Sequence, residues 1–217
     1  MEMISNETDS PIFDSAPDFM ALGVTFPYEY GYLFVDHLHG KGGWGSVDRA
    51  FQHPPLSTEQ ILHPDRYPDD QPIQVMLPEL NSVLSNAWWE EIDRGVMGEW
   101  YTYLILAKGL NESARLDDHQ AKLAAEGWGG DTYVVYYNAD AAETLMILQS
   151  TWDTPGDADE FADSFRDYAD GRFGKSSNDT WQGSDGFHTF YHQANTTTWI
   201  LAPDAETAAA VWQTVRP

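Results

Sequence analysis

Residues 54–68 read Pro-Pro-Leu-Ser-Thr-Glu-Gln-Ile-Leu-His-Pro-Asp-Arg-Tyr-Pro. An imidazole, a guanidinium and a phenol, on His63, Arg66 and Tyr67, therefore fall within one short run. Ser57 is a natural helix N-cap, and Gln60, three residues on, completes a Ser-x-x-Gln capping box. The helix it starts runs from Thr58 to about Leu62. Pro64 disfavours helical geometry at His63, so His63 sits at a helix end, in a fixed place. Two roles stay open for this segment. It positions a chemical group, or it only turns a corner: Ser57 caps, His63 satisfies a backbone carbonyl and Tyr67 packs.

The other ionisable groups give weaker patterns. Seven histidines occur, at 37, 39, 53, 63, 119, 188 and 192. Helical metal-binding pairs need i, i+3 or i+4 spacing, as in His-Glu-x-x-His, and the chain has no such motif. His37 and His39, two apart on a helix, point to different faces. Asp36 and His39 share a face but form only a pair. His188 and His192 share one face of a strand, where a surface pair is the plain reading. Glu99, within Gly98-Glu99-Trp100, lies among apolar residues. It is either a buried carboxylate with a raised pKa, or a surface acid or structural hydrogen bond. No Gly-x-Ser-x-Gly elbow, P-loop or Rossmann fingerprint is present. Gly-Trp-Gly-Gly-Asp, 127–131, reads as a helix stop and sharp turn leading into a strand.

The elements that position these groups follow from periodicity and capping. Residues 1–22 read as a flexible lead-in. Residues 26–40 read as a helix stopped by Gly40, with a turn at Gly42-Gly43 and a second short helix over 44–51. Residues 72–80 look extended, 90–110 helical, and 111–131 helical until the glycine run. Strands are expected over 132–138 and 144–152, then a helix over 154–174. Three more strands, 180–183, 187–193 and 196–203, lead to a final helix over 204–215 capped by Asp204. The class is α+β. A mainly helical half, 26–130, precedes an antiparallel unit of order ββαβββα, 131–217, with two helices expected on one face of its sheet.

Composition limits the function classes. The 217 residues are 42% hydrophobic and 14% aromatic, enough for a substantial core. Thirty-five acids against 11 lysines and arginines give a net charge of −24, spread along the chain. A dispersed acidic coat with four lysines suits concentrated salt, where the Debye length falls to ~3 Å at ~1 M and self-repulsion is screened. No basic stripe exists to neutralise phosphates, so nucleic acid is excluded as a partner. There is no cysteine, hence no thiolate metal site or cysteine nucleophile. No apolar run approaches the ~20 residues of a membrane span, and residues 1–19 do not resemble a signal peptide. Four Asn-x-Ser/Thr sequons, at Asn6, Asn111, Asn178 and Asn195, suggest a glycosylated extracellular surface.

Several segments together carry a family resemblance: FPYEYGYLFVDHLHGKGGWGSVDRAF (26–51), PPLSTEQILHPDRY (54–67), GEW (98–100), AAEGWGGD (124–131) and STWDTPGDADEF (150–161). They resemble the C-terminal portion of a zincin-like, His-Glu-x-x-His-type metallopeptidase family found in haloarchaea, Chloroflexi and actinobacteria, often secreted or lipid-anchored. The resemblance covers roughly residues 26–165. It implies a zinc-binding helix ahead of Phe26, and that helix is absent from this chain. It also implies that residues 54–68 rim a site, with His63 or Tyr67 donating to an oxyanion and Arg66 holding a substrate carboxylate. A zinc peptidase needs three protein ligands plus an open water position. The expectation for this chain alone is therefore a halophilic protein with a structural or binding role toward a peptide or protein partner, with no metal or cofactor of its own. The alternative is a zinc-dependent hydrolase whose metal-binding helix lies upstream or on another chain. The location expected is extracellular or cell-surface for a piece of a secreted parent, and otherwise the cytoplasm of a salt-in halophile.

Overall fold

A computed structural model describes residues 11–80, 83–84 and 88–217. A short helix α1, Pro11–Asp14, leads into α2, Asp18–Gln52, followed by α3, Thr58–Leu62. Strand β1, Trp89–Gly95, precedes α4, Gly98–Lys108. A 3-10 turn over Glu112–Ala114 and helix α5, Asp118–Ala125, lead to β2, Trp128–Asn138, and β3, Glu143–Trp152. Helix α6, Pro155–Phe173, then β4, Thr180–Gln182, β5, Phe187–Gln193, β6, Thr196–Ala202, and α7, Ala205–Val215, complete the chain. The protein is α+β: helices in the N-terminal half, then a six-stranded antiparallel sheet of order β1-β2-β3-β6-β5-β4.

The sheet is covered on both faces, which corrects the expectation of two helices on one face. Leu148, Phe190 and Trp199 lie side by side in register and pack under Phe161 and Phe165 of α6. Their neighbours Ile147 and Ile200 point the other way, onto Ala208, Val211 and Val215 of α7. Strands whose alternate residues are both apolar need a layer on each side, and α6 and α7 supply one each. Thr154 caps α6 through a reciprocal capping box with Asp157, and the Asp204 carboxylate accepts from the Thr207 amide to cap α7.

Three boundaries differ from the sequence reading. The first helix begins at Asp18, inside the stretch read as a lead-in, and it continues through Pro27 and past Gly40. Its break is at Gly42 and Gly43, whose backbone is non-helical, where the turn was expected. Residues 90–95, read as helical, belong to β1, because Trp89–Gly95 pairs with residues 133–138 at the sheet edge. The glycine run 127–131 is a turn only at Gly127 (φ 83°); from Trp128 the chain is already strand. Residues 72–80 make no strand ladder, but Ile73 donates its amide to the Gly129 carbonyl. A Cβ on Gly130 would lie 2.1 Å from the Ile73 carbonyl oxygen, so this close approach requires glycine.

Candidate functional site

The segment 54–70 is held at both ends of α3. The Ser57 hydroxyl accepts from the Gln60 amide at 3.2 Å, and the Gln60 side chain accepts from the Leu56 amide at 2.7 Å. The return bond of the capping box thus lands one residue before the cap. His63 leaves the helix with φ −119° and ψ 71°. Its Nε2 meets Glu99 Oε1 at 2.8 Å rather than a backbone carbonyl.

Glu99 stands in the first turn of α4, and its place is set by two other motifs. The Asp131 carboxylate accepts from the amides of Met97 and Gly98 at 2.8 Å each and from Trp128 Nε1 at 2.7 Å. It therefore occupies the α4 N-terminus, where unpaired amides and the helix dipole favour a negative charge. The Thr58 hydroxyl accepts from the Trp100 amide at 3.2 Å. Gly98 has φ 72°, and a Cβ there would meet that hydroxyl at 2.5 Å. Residues 54–67, 98–100 and 127–131 are thus one construction in space.

Glu99 is buried, which settles the two readings of this residue against a surface acid. Burial pushes its carboxyl pKa up, against the lowering effect of the His63 hydrogen bond. That same bond raises the His63 pKa. The pair therefore retains a proton to higher pH than either group would free in water. Among the described residues, Glu99 Oε2 and Trp100 Nε1 are buried with no hydrogen-bond partner. Glu99 and Trp100 line a recess of about 240 Å³ walled by Tyr30, Tyr103, Leu62 and His63, with Lys122 and Glu126 at its edge. The Lys122 ammonium lies 5.7 Å from the Tyr103 ring centroid.

Arg66, expected to hold a substrate carboxylate, is committed within the protein. Its Nη1 donates to Glu59 Oε1 at 2.5 Å and lies 3.7 Å from Asp153 and 3.9 Å from Asp70; Nη2 lies 3.7 Å from Glu126. Glu59 is 1% exposed, and its pKa is raised to about 7, first by burial and then by Asp70 and Asp153. Tyr67 is also engaged: its hydroxyl donates to the His53 carbonyl at 2.5 Å and its ring stands edge-on to Phe34. Of the four sequence candidates, the structure joins His63 to Glu99 and directs Arg66 and Tyr67 inward.

One further cluster escaped the sequence reading. Glu59, Asp70 and Asp153 bring carboxylate oxygens within 4.8 Å of one another. The set contains no histidine, and Arg66 already serves as its cation, so it lacks the imidazole or thiolate ligands that zinc sites combine with carboxylates. The remaining histidines stay apart. His188 is 1% exposed, not a surface residue; it bonds Asp185 at 2.9 Å, accepts from Trp199 Nε1 and stacks on Phe173. His192 lies beside Asp159 and the Ala194 carbonyl. Two larger cavities, of about 820 and 740 Å³, lie elsewhere. Neither is lined by Glu99, His63 or Trp100; the first carries Arg172 and Asp185 and the second Arg94 and Asp131. Of the sequons, Asn6 lies outside the described residues, Asn111 accepts from Ser113, and Asn195 donates to the Trp152 carbonyl.

Fold and site together define an α+β protein in which a half-buried histidine pairs with a buried glutamate beside an aromatic recess. The family model described as "Domain of unknown function (DUF8575)" matches residues 85–212, and the chain belongs to that family. Glu99 and Asp131 lie within the matched region, and His63, Arg66 and Glu59 precede it. No curated protein and no solved structure matches the chain.

Proposed function

We propose that the chain is a binding protein for a basic peptide or protein partner, and that the recess over His63 and Glu99 accepts one amine-bearing group of it. The observation that carries this reading is the Glu99 carboxylate, buried, with one oxygen on His63 and the other unpartnered. A buried carboxylate oxygen without a donor is costly, and an ammonium entering the recess would satisfy it. Tyr30, Trp100 and Tyr103 favour a cation by their ring faces. The unpartnered Trp100 Nε1 suits a neighbouring carbonyl on the same ligand. About 240 Å³ fits one side chain or a peptide N-terminus rather than a whole small molecule. The lining holds no serine or threonine hydroxyl, which favours binding over acyl transfer. Pentalysine is expected to bind and pentaglutamate not, with Glu99→Gln weakening pentalysine about tenfold, the worth of one charged hydrogen bond. Binding should also weaken as pH falls, because protonation neutralises Glu99. Equal binding by the Gln variant would contradict the assignment.

A second reading keeps the metallopeptidase resemblance, favoured by the contact between the segments that carry it. Arg66 of 54–67 lies beside Glu126 of 124–131 and Asp153 of 150–161. In that reading the zinc ligands come from outside these residues, and the recess belongs to the substrate side. The acidic coat is read as an adaptation to concentrated salt. Protein purified alone in molar KCl is expected to be folded, to carry no stoichiometric zinc, and to lose cooperative unfolding on dialysis to low salt. Stoichiometric zinc would overturn the binding reading, and a cooperative fold in dilute buffer the salt argument.

A further inference from the structure

Helix α2 is apolar on two faces, and the fold uses only one. Phe26, Phe34 and Leu38 are buried at helical spacing, with Tyr30 between them stacked on Phe26 and tilted against Trp100. On another face, Met20, Val24, Tyr28, Tyr32 and Val35 recur every three or four residues and are 38–78% exposed. Gly31 lies within this second stripe, and a Cβ on it would meet nothing within 4 Å. Beyond the kink, Trp44 (69%) and Phe51 (84%) are exposed as well.

A helix that is apolar on both faces is built to be covered on both. At about 150–250 Å² for a large side chain, the five stripe residues expose roughly 600 Å². That equals the largest patch usual on a monomer, ~300–600 Å²; Trp44 and Phe51, beyond the kink, bring the exposed apolar total of the helix past the ~800 Å² that one partner contributes to a stable interface. No acid stands at the stripe positions of a chain with 35 acids. Asp18, Glu29 and Asp36 are exposed on the same helix. Lys41, its one lysine, is already paired with Asp65. Two copies at −24 each would repel wherever the salt falls below the molar range that screens them.

We infer that the exposed stripe of α2 is a docking face for an amphipathic helix of another polypeptide, apolar along one side and flanked by lysine or arginine. The partner's apolar residues lie over Val24, Tyr28 and Tyr32, one side chain enters the gap at Gly31, and its cations face Glu29 and Asp36. This mode, an amphipathic helix laid on an apolar surface, reads as anchors spaced i, i+3, i+4, i+7. The face is separate from the His63–Glu99 recess and does not depend on its assignment.

The test uses a synthetic Leu/Lys/Ala amphipathic helix of about 20 residues, which spans ~30 Å, and a scrambled peptide of the same composition. Fluorescence anisotropy in moderate KCl is expected to show tighter binding of the amphipathic peptide than of the scrambled one, whose lysines can reach only the recess. Val24→Ser/Tyr28→Ser should weaken binding about tenfold or more, as for loss of central apolar anchors, while circular dichroism stays unchanged because both sites are exposed. Glu29→Gln/Asp36→Asn should weaken it more in moderate than in molar KCl. Glu99→Gln should weaken both lysine-bearing peptides alike and leave the preference for the amphipathic one unchanged, which separates this face from the recess. Equal binding by the scrambled peptide, or by Val24→Ser/Tyr28→Ser, would overturn the inference. So would self-association, seen by sedimentation, that the same double substitution abolishes.

Discussion

Asp131→Ala is expected to lower the unfolding free energy by about 3–5 kcal/mol, since an unpaired buried donor costs ~1–3 kcal/mol and three would lose their acceptor. The Met97 and Gly98 amides and the Trp128 indole all donate to this carboxylate, which is 3% exposed. For a chain of this size, ~2–4 °C is lost per kcal/mol, so the melting temperature should fall by roughly 6–20 °C. Asp131→Asn keeps one acceptor oxygen and should lose about half as much. The change should also reach Glu99, which sits one residue into the helix that Asp131 caps. A loss below ~1 kcal/mol would mean that α4 is positioned by packing alone. Thermal or chemical unfolding in molar salt measures it directly.

Arg66→Ala should cost about 2–4 kcal/mol at pH 8, toward the lower end for breaking a buried pair, and distinctly less at pH 5. The arginine touches Glu59 directly and has Asp70, Asp153 and Glu126 around it. Without it, a buried carboxylate faces only like charge. The pH sign follows from Glu59. Its pKa is about 7 in the folded protein against an ordinary 4.5, so the folded state holds an extra proton between those values. The stability linked to that proton is fully present below about 4.5 and is lost as pH rises through about 7. At pH 5 Glu59 is mostly protonated in the folded state and needs its cation less. Glu59→Gln should therefore flatten the stability profile between these pH values. Glu59→Gln with Arg66→Ala should recover part of the loss seen at pH 8. An Arg66→Ala penalty equal at pH 5 and pH 8 would show that Arg66 acts by packing rather than by charge.

The sequence carried the parts of this site that act over a few residues. Ser57 caps α3, Pro64 ends it, and His63 sits at the expected place because these effects depend on neighbours within one turn. The same holds for the Asp204 cap and for strands β2 to β6. Strand β1 was hidden because Glu90-Glu91-Ile92-Asp93-Arg94 has no apolar alternation: it is a sheet edge, exposed along most of its length. Glu99 could not be assigned because its burial is made by residues far along the chain. His63 is 36 positions away, and Asp131, which sets the helix start, is 33 from Gly98.

What the sequence determined alone is therefore local: class, caps, most strands, and a rigid turn bearing His63. The apolar content of both strand faces was also legible, yet which helix covers which face was decided only when β3 and β6 paired and turned alternate residues to α6 and α7. The tertiary structure decided that Arg66 neutralises the protein's own carboxylates, that Glu99 keeps an unanswered oxygen beside a recess, and that one face of α2 stays bare. The physical reason is common to all three. Desolvation and charge pairing depend on which distant side chains arrive within a few ångströms, and spacing along one strand or helix does not encode that.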